Sequence, residues 1–425
     1  MNQAKSARMP ENIEAELQRS EPDYVAYVPA GEYDTGNEHF LVTEAPGGGL
    51  LAVWTQSSYE GAKDHRIVLA RSEDYGHTWS QPRLIAGPEK PGEGHMASWG
   101  FPIISQSGRI YVFWNQYQGI DDVVDQHTGT MDCRYSDDGG ETWSPAETVP
   151  MPRSAFDHSD PSIPSEWIVW QLPIRDLQGR AFTGFTRWVS EDVRTPPHRD
   201  SWTAWESVVQ FMRFLNIDDD PGPAEIDIEW SPDDEALRVP HYENPLLSVA
   251  QEPSLVRLAD DRLFCTMRTM AGCIWYSISD DDGVSWCNPR PLLRRDHGTP
   301  IPEPLCCCPI YQLADGRYLL LHHNNDGRFE RCKPEDTHKN RRPAFVALGE
   351  FRPDACQPIW FSQSRELMDN DGVGIGPRSR TDIGVYPSFT THNGENILWH
   401  PDRKFFLVGK RITDEILQGL DVPKA

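Results

Sequence analysis

The sequence predicts an all-β chain folded as a six-bladed β-propeller, with seven blades as the alternative. The first observation is a motif, S-x-D-x-G-x-[ST]-W, that occurs at residues 72–79, 136–143 and 279–286. The second is that each copy follows an alternating apolar run and so reads as a hairpin turn on the outer part of a sheet. The third is spacing. The copies begin at Ser72, Ser136 and Ser279, 64 and then 143 residues apart, about one period and then two. Repeated four-stranded units of that length in 425 residues make about six blades.

Residue chemistry explains the motif. The Asp side chain caps turn amides, the Gly supplies a positive φ, and the Trp re-enters the sheet as a packing anchor. The double interval predicts a further unit with a damaged motif. Residues 187–192 start like one, and Ser201-Trp202 follow only after a Pro-rich insertion.

Taken in order, residues 11–19 form a short helix on the propeller base, within an N-terminal extension over 1–30, and 31–425 form one propeller domain. Blade one has strands at 40–44, 50–54 and 66–71, and blade two at 101–104, 109–114 and 131–135. Strands follow at 166–172 and 180–189, with 206–216 open between helix and strand. The acidic loop 218–223 is either a pocket-shaping loop or a solvated insertion. Hairpins resume at 252–258 with 262–268, then 273–279, 309–313 with 317–322, 344–351, 386–391, 396–400 and 404–410. The last strands are expected to close the ring by pairing with the first blade.

Composition narrows the partners. With 40 Lys and Arg against 65 Asp and Glu, net −25, the chain disfavours nucleic acid and anionic membranes. A run of about 20 apolar residues is absent and residues 1–20 lack a signal-peptide hydrophobic region, so the chain as written reads as cytoplasmic, or as exported if a leader has been lost. Nine cysteines without a C-x-x-C pair read as buried thiols; adjacent Cys306, Cys307 and Cys308 would alternate faces on a strand and build no metal cage among themselves. Neither a metal nor a cofactor is expected, and the oligomeric state is not legible.

The repeated motif resembles the Asp box that the sialidase superfamily, itself six-bladed, carries on its outer hairpin turns. The resemblance spans roughly 32–412. Boxes also occur in other carbohydrate-active enzymes and in non-catalytic propellers, so function must come from other residues. Retaining sialidases use a Tyr nucleophile activated by a Glu, an Asp acid/base, and three arginines gripping the sugar carboxylate. Glu252 and Arg268, 16 residues apart on one hairpin, match the activating Glu and second Arg. Tyr386, in Gly384-Val385-Tyr386-Pro387-Ser388, matches the nucleophile, and Asp64, ahead of a box strand, matches the acid/base. Arg341 and Arg342 before Pro343 offer the third arginine, with Arg342 favoured. Where the family has a Phe-Arg-Ile-Pro-like strand start, this chain has Asn37-Glu38-His39-Phe40, which puts His39 near the missing first arginine.

Every candidate has a plainer alternative: Glu252 and Arg268 as a surface pair, Tyr386 as core, the histidines as structural residues. His39, His95, His322 and His323 nonetheless all fall at strand ends. Histidine or tyrosine bases with arginine partners also serve propeller lyases that cleave uronate-containing glycans. The expected function is therefore exo-hydrolysis of a terminal, acidic sugar by a sialidase-like enzyme, with His39 and His95 as further sugar-binding residues. The alternatives are a uronate lyase and a non-catalytic carbohydrate-binding propeller.

Overall fold

The structure, a computed structural model, describes residues 9–195 and 202–424. Six antiparallel sheets follow one another around a ring. Blade one holds Gly36–Asn37 and Leu41–Glu44, Leu50–Ser57, Arg66–Ser72 and Arg83–Ala86. Blade two holds Ala97–Ile104, Ile110–Tyr117, Gly129–Ser136 and Glu147–Val149. Blade three holds Trp167–Ile168 and Ile174–Arg175, Ala181–Trp188, Ser207–Phe214 and Ile228–Trp230. Blade four holds Ala250–Arg257, Leu263–Thr269, Trp275–Ser279 and Arg290–Pro291. Blade five holds Ile310–Gln312, Tyr318–His322, Ala344–Phe351, and Ile359–Phe361 with Arg365–Met368. Blade six holds Ser388–His392, Glu395–Asp402 and Phe406–Arg411, and takes its outer strand, Tyr24–Tyr27, from the N-terminus.

Ring closure thus runs opposite to the expectation from sequence. The N-terminal segment joins the last blade, with Val25 opposite Val408, rather than the last strands joining blade one. The helix Ile13–Gln18 packs Leu17 against Phe405 and Phe406, and its Glu16 pairs with Arg403 at 3.0 Å. Arg403 and Phe405 lie on the hairpin turn between the second and third strands of blade six, so the helix sits at the end of the ring opposite the boxes, not on the base. No helix among the described residues is long and apolar enough to cross a membrane.

Strand alternation supplies the core. In Leu50–Ser57, Leu50, Ala52 and Trp54 pack toward blade six while Leu51 and Val53 pack toward blade two. Both faces of this strand are therefore buried, which is why it opens with the apolar run Leu50 to Trp54.

The three boxes are turns between third and fourth strands, and all three close alike. Asp74, Asp138 and Asp281 each accept the amide of the residue four positions on, at 2.8 Å. The glycine at each turn has positive φ: Gly76 at 103°, Gly140 at 95° and Gly283 at 88°. In blade three the equivalent turn is the acidic loop, not residues 187–192. The latter leave the second strand at the opposite end, and Ser201 lies outside the described residues. Asp218 of that loop accepts Arg175 at 2.7 Å and Asp220 accepts Ser105 at 2.6 Å, so the loop ties blade three to blade two.

Gly76 tests this packing. A Cβ there would stand 2.3 Å from the ring of buried Trp399, on backbone that disfavours side chains. Gly76→Ala should lower stability by about 2–5 kcal/mol in denaturant unfolding, strain and overpacking together. Gly316→Ala, at φ +86° with open space around it, should cost only about 1–2 kcal/mol. Equal losses would contradict the account.

Candidate active site

Antiparallel blades send the second-to-third-strand connections and the blade-to-blade connections to one end of the ring. There they surround a cavity of about 990 Å³. Its floor is reached from the starts of inner strands. Trp99, Glu252 and Tyr386, from blades two, four and six, all have left-handed backbone, φ 56°, 49° and 48°. The first two sit in β-bulges, where pairing slips between Ser98 and Phe101 and between Gln251 and Ser254. Such positions cost about 1–3 kcal/mol each and re-aim a side chain. Each strained amide is caught by a side chain of the preceding blade or its lead-in: Trp99 by Thr55 Oγ1 at 2.8 Å, Glu252 by Thr186 Oγ1 at 2.7 Å, and Tyr386 by Cys307 Sγ at 3.1 Å.

Tyr386, Glu252 and Arg268 meet on that floor. The phenol of Tyr386 donates to Glu252 Oε1 at 3.0 Å, and Arg268 Nη1 donates both to that oxygen and to the phenol oxygen, the latter at 3.1 Å. Burial, then the Glu252 charge, pushes the phenol well above its ordinary pKa. Burial also raises Glu252, against the opposing pull of Arg268 and Arg341. Arg341 lines the same cavity, its guanidinium fixed on Leu305 O at 3.0 and 2.6 Å.

The other expected residues lie elsewhere. Arg342, the favoured third arginine, turns away to Asp369 (2.9 Å) and Glu330 (3.3 Å), so Arg341 is the member of the pair that faces the cavity. His39 is fully buried behind Trp99, with Nε2 2.6 Å from Gly100 O, and burial lowers its pKa to about 4. A neutral ring outside the cavity cannot stand in for an arginine. Asp64 accepts the Ser58 amide at 3.2 Å and, with His95, lines a neighbouring cavity of about 370 Å³ that shares Ser58 and Tyr59 with the larger one. His322 ends the second strand of blade five, His323 follows it, and both are buried.

The fold adds residues that no sequence pattern announced. Arg380, from the connection between blades five and six, lines the cavity and pairs with Asp382 at 2.7 Å and with Glu60. Lys404 lies 2.6 Å from Glu60 and 4.7 Å from the centre of the Tyr386 ring. Burial opposes the charge on Glu60, but Arg380 and Lys404 outweigh it and hold the carboxyl well below its usual range. The opposite wall is aromatic: His127 stacks on Trp188 at 4.1 Å beside Trp202 and Trp205. Burial and then Arg268 lower the His127 pKa to about 3, and its buried Nδ1 has no hydrogen-bond partner.

Fold and site together define a six-bladed propeller whose loop end encloses a buried tyrosine–glutamate–arginine cluster within an aromatic, arginine-lined cavity. The chain belongs to the BNR repeat-like domain family, whose model matches residues 48–361. The intramolecular trans-sialidase from Ruminococcus gnavus, solved with oseltamivir carboxylate, is similar in structure with TM-score 0.59 at 14% identity, over 93% of this chain and 98% of that one. The NanB sialidase from Streptococcus pneumoniae superposes with TM-score 0.56 at 12% identity, over 92% of this chain and 70% of that one. The α-L-arabinanase from Penicillium chrysogenum, solved with arabinobiose, does so with TM-score 0.52 at 13% identity, over 93% and 99%. At such identities the likeness establishes the fold. No curated protein matches the chain in sequence.

The raised phenol has a spectroscopic consequence. The difference between wild type and Tyr386→Phe in an ultraviolet pH titration should contain no phenolate band up to about pH 10, because a pKa lifted above the ordinary value of about 10 leaves the phenol protonated there. A phenolate attributable to Tyr386 at or below that pH would mean that Arg268 outweighs Glu252 and burial.

Proposed function

We propose that the protein is a sialidase-like exo-glycosidase that removes a terminal acidic sugar, with Tyr386 as nucleophile. The observation that carries this reading is the 3.0 Å hydrogen bond from Tyr386 to Glu252, bridged by Arg268, on the floor of a cavity of about 990 Å³. A phenol with an elevated pKa attacks only if a base takes its proton as the bond forms. Glu252 is positioned to take it, and burial increases its basicity. Arg268 then shares its guanidinium between the new carboxylic acid and the developing tyrosyl–sugar bond. Arg341 and Arg268 offer forked donors to the sugar carboxylate, while the charge of Arg380 is matched by Asp382 and Glu60. A phenol, neutral before attack, approaches an anionic sugar without the repulsion a carboxylate would meet. Tyr33, Tyr59, Trp202 and Trp205 provide faces for the rest of the glycan.

Protonation of the leaving oxygen is assigned to Asp64. In this conformation it faces the smaller cavity, so the role requires the loop 58–64 to turn toward the larger one. Glu60, on the same loop, cannot replace it while Arg380 and Lys404 keep it ionised.

His127 favours a second reading. An imidazole with an unpartnered Nδ1 in the cavity is placed to abstract the proton α to a uronate carboxylate once that bound carboxylate offsets the Arg268 charge that depresses its basicity, with Arg341 and Arg268 stabilising the enolate and Tyr386 protonating the leaving oxygen. That reaction leaves an unsaturated sugar.

Turnover of 4-methylumbelliferyl sialic acid by wild type and Tyr386→Phe tests the first reading. Wild-type release that falls by about 10² or more in the variant supports it. If wild type releases nothing but a uronate-containing glycan yields ultraviolet-absorbing product that His127→Ala abolishes, the lyase reading takes its place. Binding without turnover of any glycan would sink both.

The two adjacent arginines give a separable prediction for whichever acidic substrate is turned over. Arg341→Ala should raise KM by about 10- to 100-fold, the loss of about 1.5–3 kcal/mol from a charge-assisted contact. Arg342→Ala should leave KM within about twofold, because its partners are Asp369 and Glu330.

A further inference from the structure

Behind the floor of the cavity the fold assembles a group that no sequence spacing suggests. Glu303, Cys306 and His323 are each 2% exposed or less, and their ligand atoms all lie within 4.8 Å of one another. Among the described residues it is the one place where three such side chains converge so closely. Glu303 and Cys306 come from the segment leading into blade five, and His323 follows the second strand of that blade.

The hydrogen bonds orient these atoms for a shared ion. His323 Nε2 lies 2.9 Å from Ile383 O, a pure acceptor, so Nε2 carries a proton and Nδ1 is the nitrogen open to an ion. Nδ1 faces Glu303 Oε1 at 3.0 Å, while Glu303 Oε2 is fixed by the His323 amide at 2.7 Å. A proton shared within this group bridges Nδ1 and the carboxylate when no ion is bound, and the Cys306 sulfur borders the same space, so an ion replacing that proton would meet all three side chains. A ring nitrogen donating through its other N–H to a backbone carbonyl is the usual outer-shell support of a metal-bound histidine. Two ligands on one tetrahedral zinc stand roughly 3.3–3.8 Å apart, within easy reach of this arrangement. A further soft donor, Cys307 Sγ, lies 3.9 Å from Cys306 Sγ. One thiolate, one carboxylate and a neutral imidazole also cancel the charge of a divalent ion, as burial on this scale demands.

We propose that Glu303, Cys306 and His323 bind a single thiophilic divalent cation, zinc by ligand type, as a structural centre beneath the cavity floor. The site does not depend on the catalytic reading. Its ligands adjoin Cys307, whose sulfur accepts the Tyr386 amide, so the ion would stiffen the support under that strained residue. Binding releases the protons that Cys306, His323 and Glu303 hold among them and leaves every oxidation state unchanged.

The test is the metal content of the full chain, expressed with added zinc and purified without chelator. About one zinc per chain is expected in wild type and in Cys308→Ser, whose thiol lies outside the group, against less than about a tenth in Cys306→Ser. Reconstitution of stripped wild type with cobalt should produce a thiolate-to-cobalt absorption band, and zinc should restore its unfolding temperature by several degrees. These wild-type arms decide the matter even if Cys306→Ser does not fold. Wild type with less than about a tenth of an equivalent of metal, and no rise in unfolding temperature on adding zinc, would overturn the proposal. Stoichiometric metal whose cobalt form lacks the thiolate band would also overturn it.

Discussion

The strand Tyr24–Tyr27 lies outside Phe406–Arg411 and holds the first and last blades in one ring. Without that pairing, blade six would present an open edge. With it, the chain comes full circle. Tyr386 O accepts the Phe40 amide at 3.2 Å, and Ser388 Oγ bridges Phe40 O and the Val42 amide at 2.7 and 2.8 Å. The nucleophile candidate therefore stands at the seam, and its distance from Glu252, 134 positions earlier, is set by how the whole ring closes.

Charge in the floor is arranged so that few groups stand alone. Glu60 is shared by Arg380 and Lys404, Asp382 is forked by Arg380, and Glu252 is matched by Arg268. Buried ions persist only when paired in this way, since removing one partner leaves an uncompensated charge. Part of what stays unsatisfied lies where a ligand would come. Glu252 Oε2, Arg268 Nε, Gln251 Oε1, Trp99 Nε1 and His127 Nδ1 are all buried without a partner, and all belong to residues lining the cavity.

What could be read in the sequence was what local chemistry determines. The boxes were legible because their hydrogen bonds span four residues, as between Thr78 and Asp74. Glu252 and Arg268 were legible because one hairpin brings them together. Blade three hid its turn because Asp218 and Asp220 bond to Arg175 and Ser105 rather than closing a box. The choice between Arg341 and Arg342 depended on Leu305 O, 36 positions away, and that of Asp64 on a bond back to Ser58 that turns it from the main cavity. Arg380 had no signature at all, because its partner Glu60, which it shares with Lys404, comes from across the seam between blades one and six.

The left-handed residues show why the site has the membership it does. Trp99, Glu252 and Tyr386 are followed by Gly100, Pro253 and Pro387 and head the inner strands of alternate blades. Inner strands converge on the axis, where six full side chains directed inward would collide. Re-aiming those of blades two, four and six puts three large groups on one floor, and the intervening blades supply the acceptors that hold them: Thr55, Thr186 and Cys307. Thr55 and Thr186 are themselves strand residues with both neighbours buried, so they have little freedom to relax. The strain that positions the cluster is thus balanced blade against blade. Softening an acceptor should loosen one floor residue while leaving the outer sheets intact, since the boxes and the inter-blade cores are built from separate contacts.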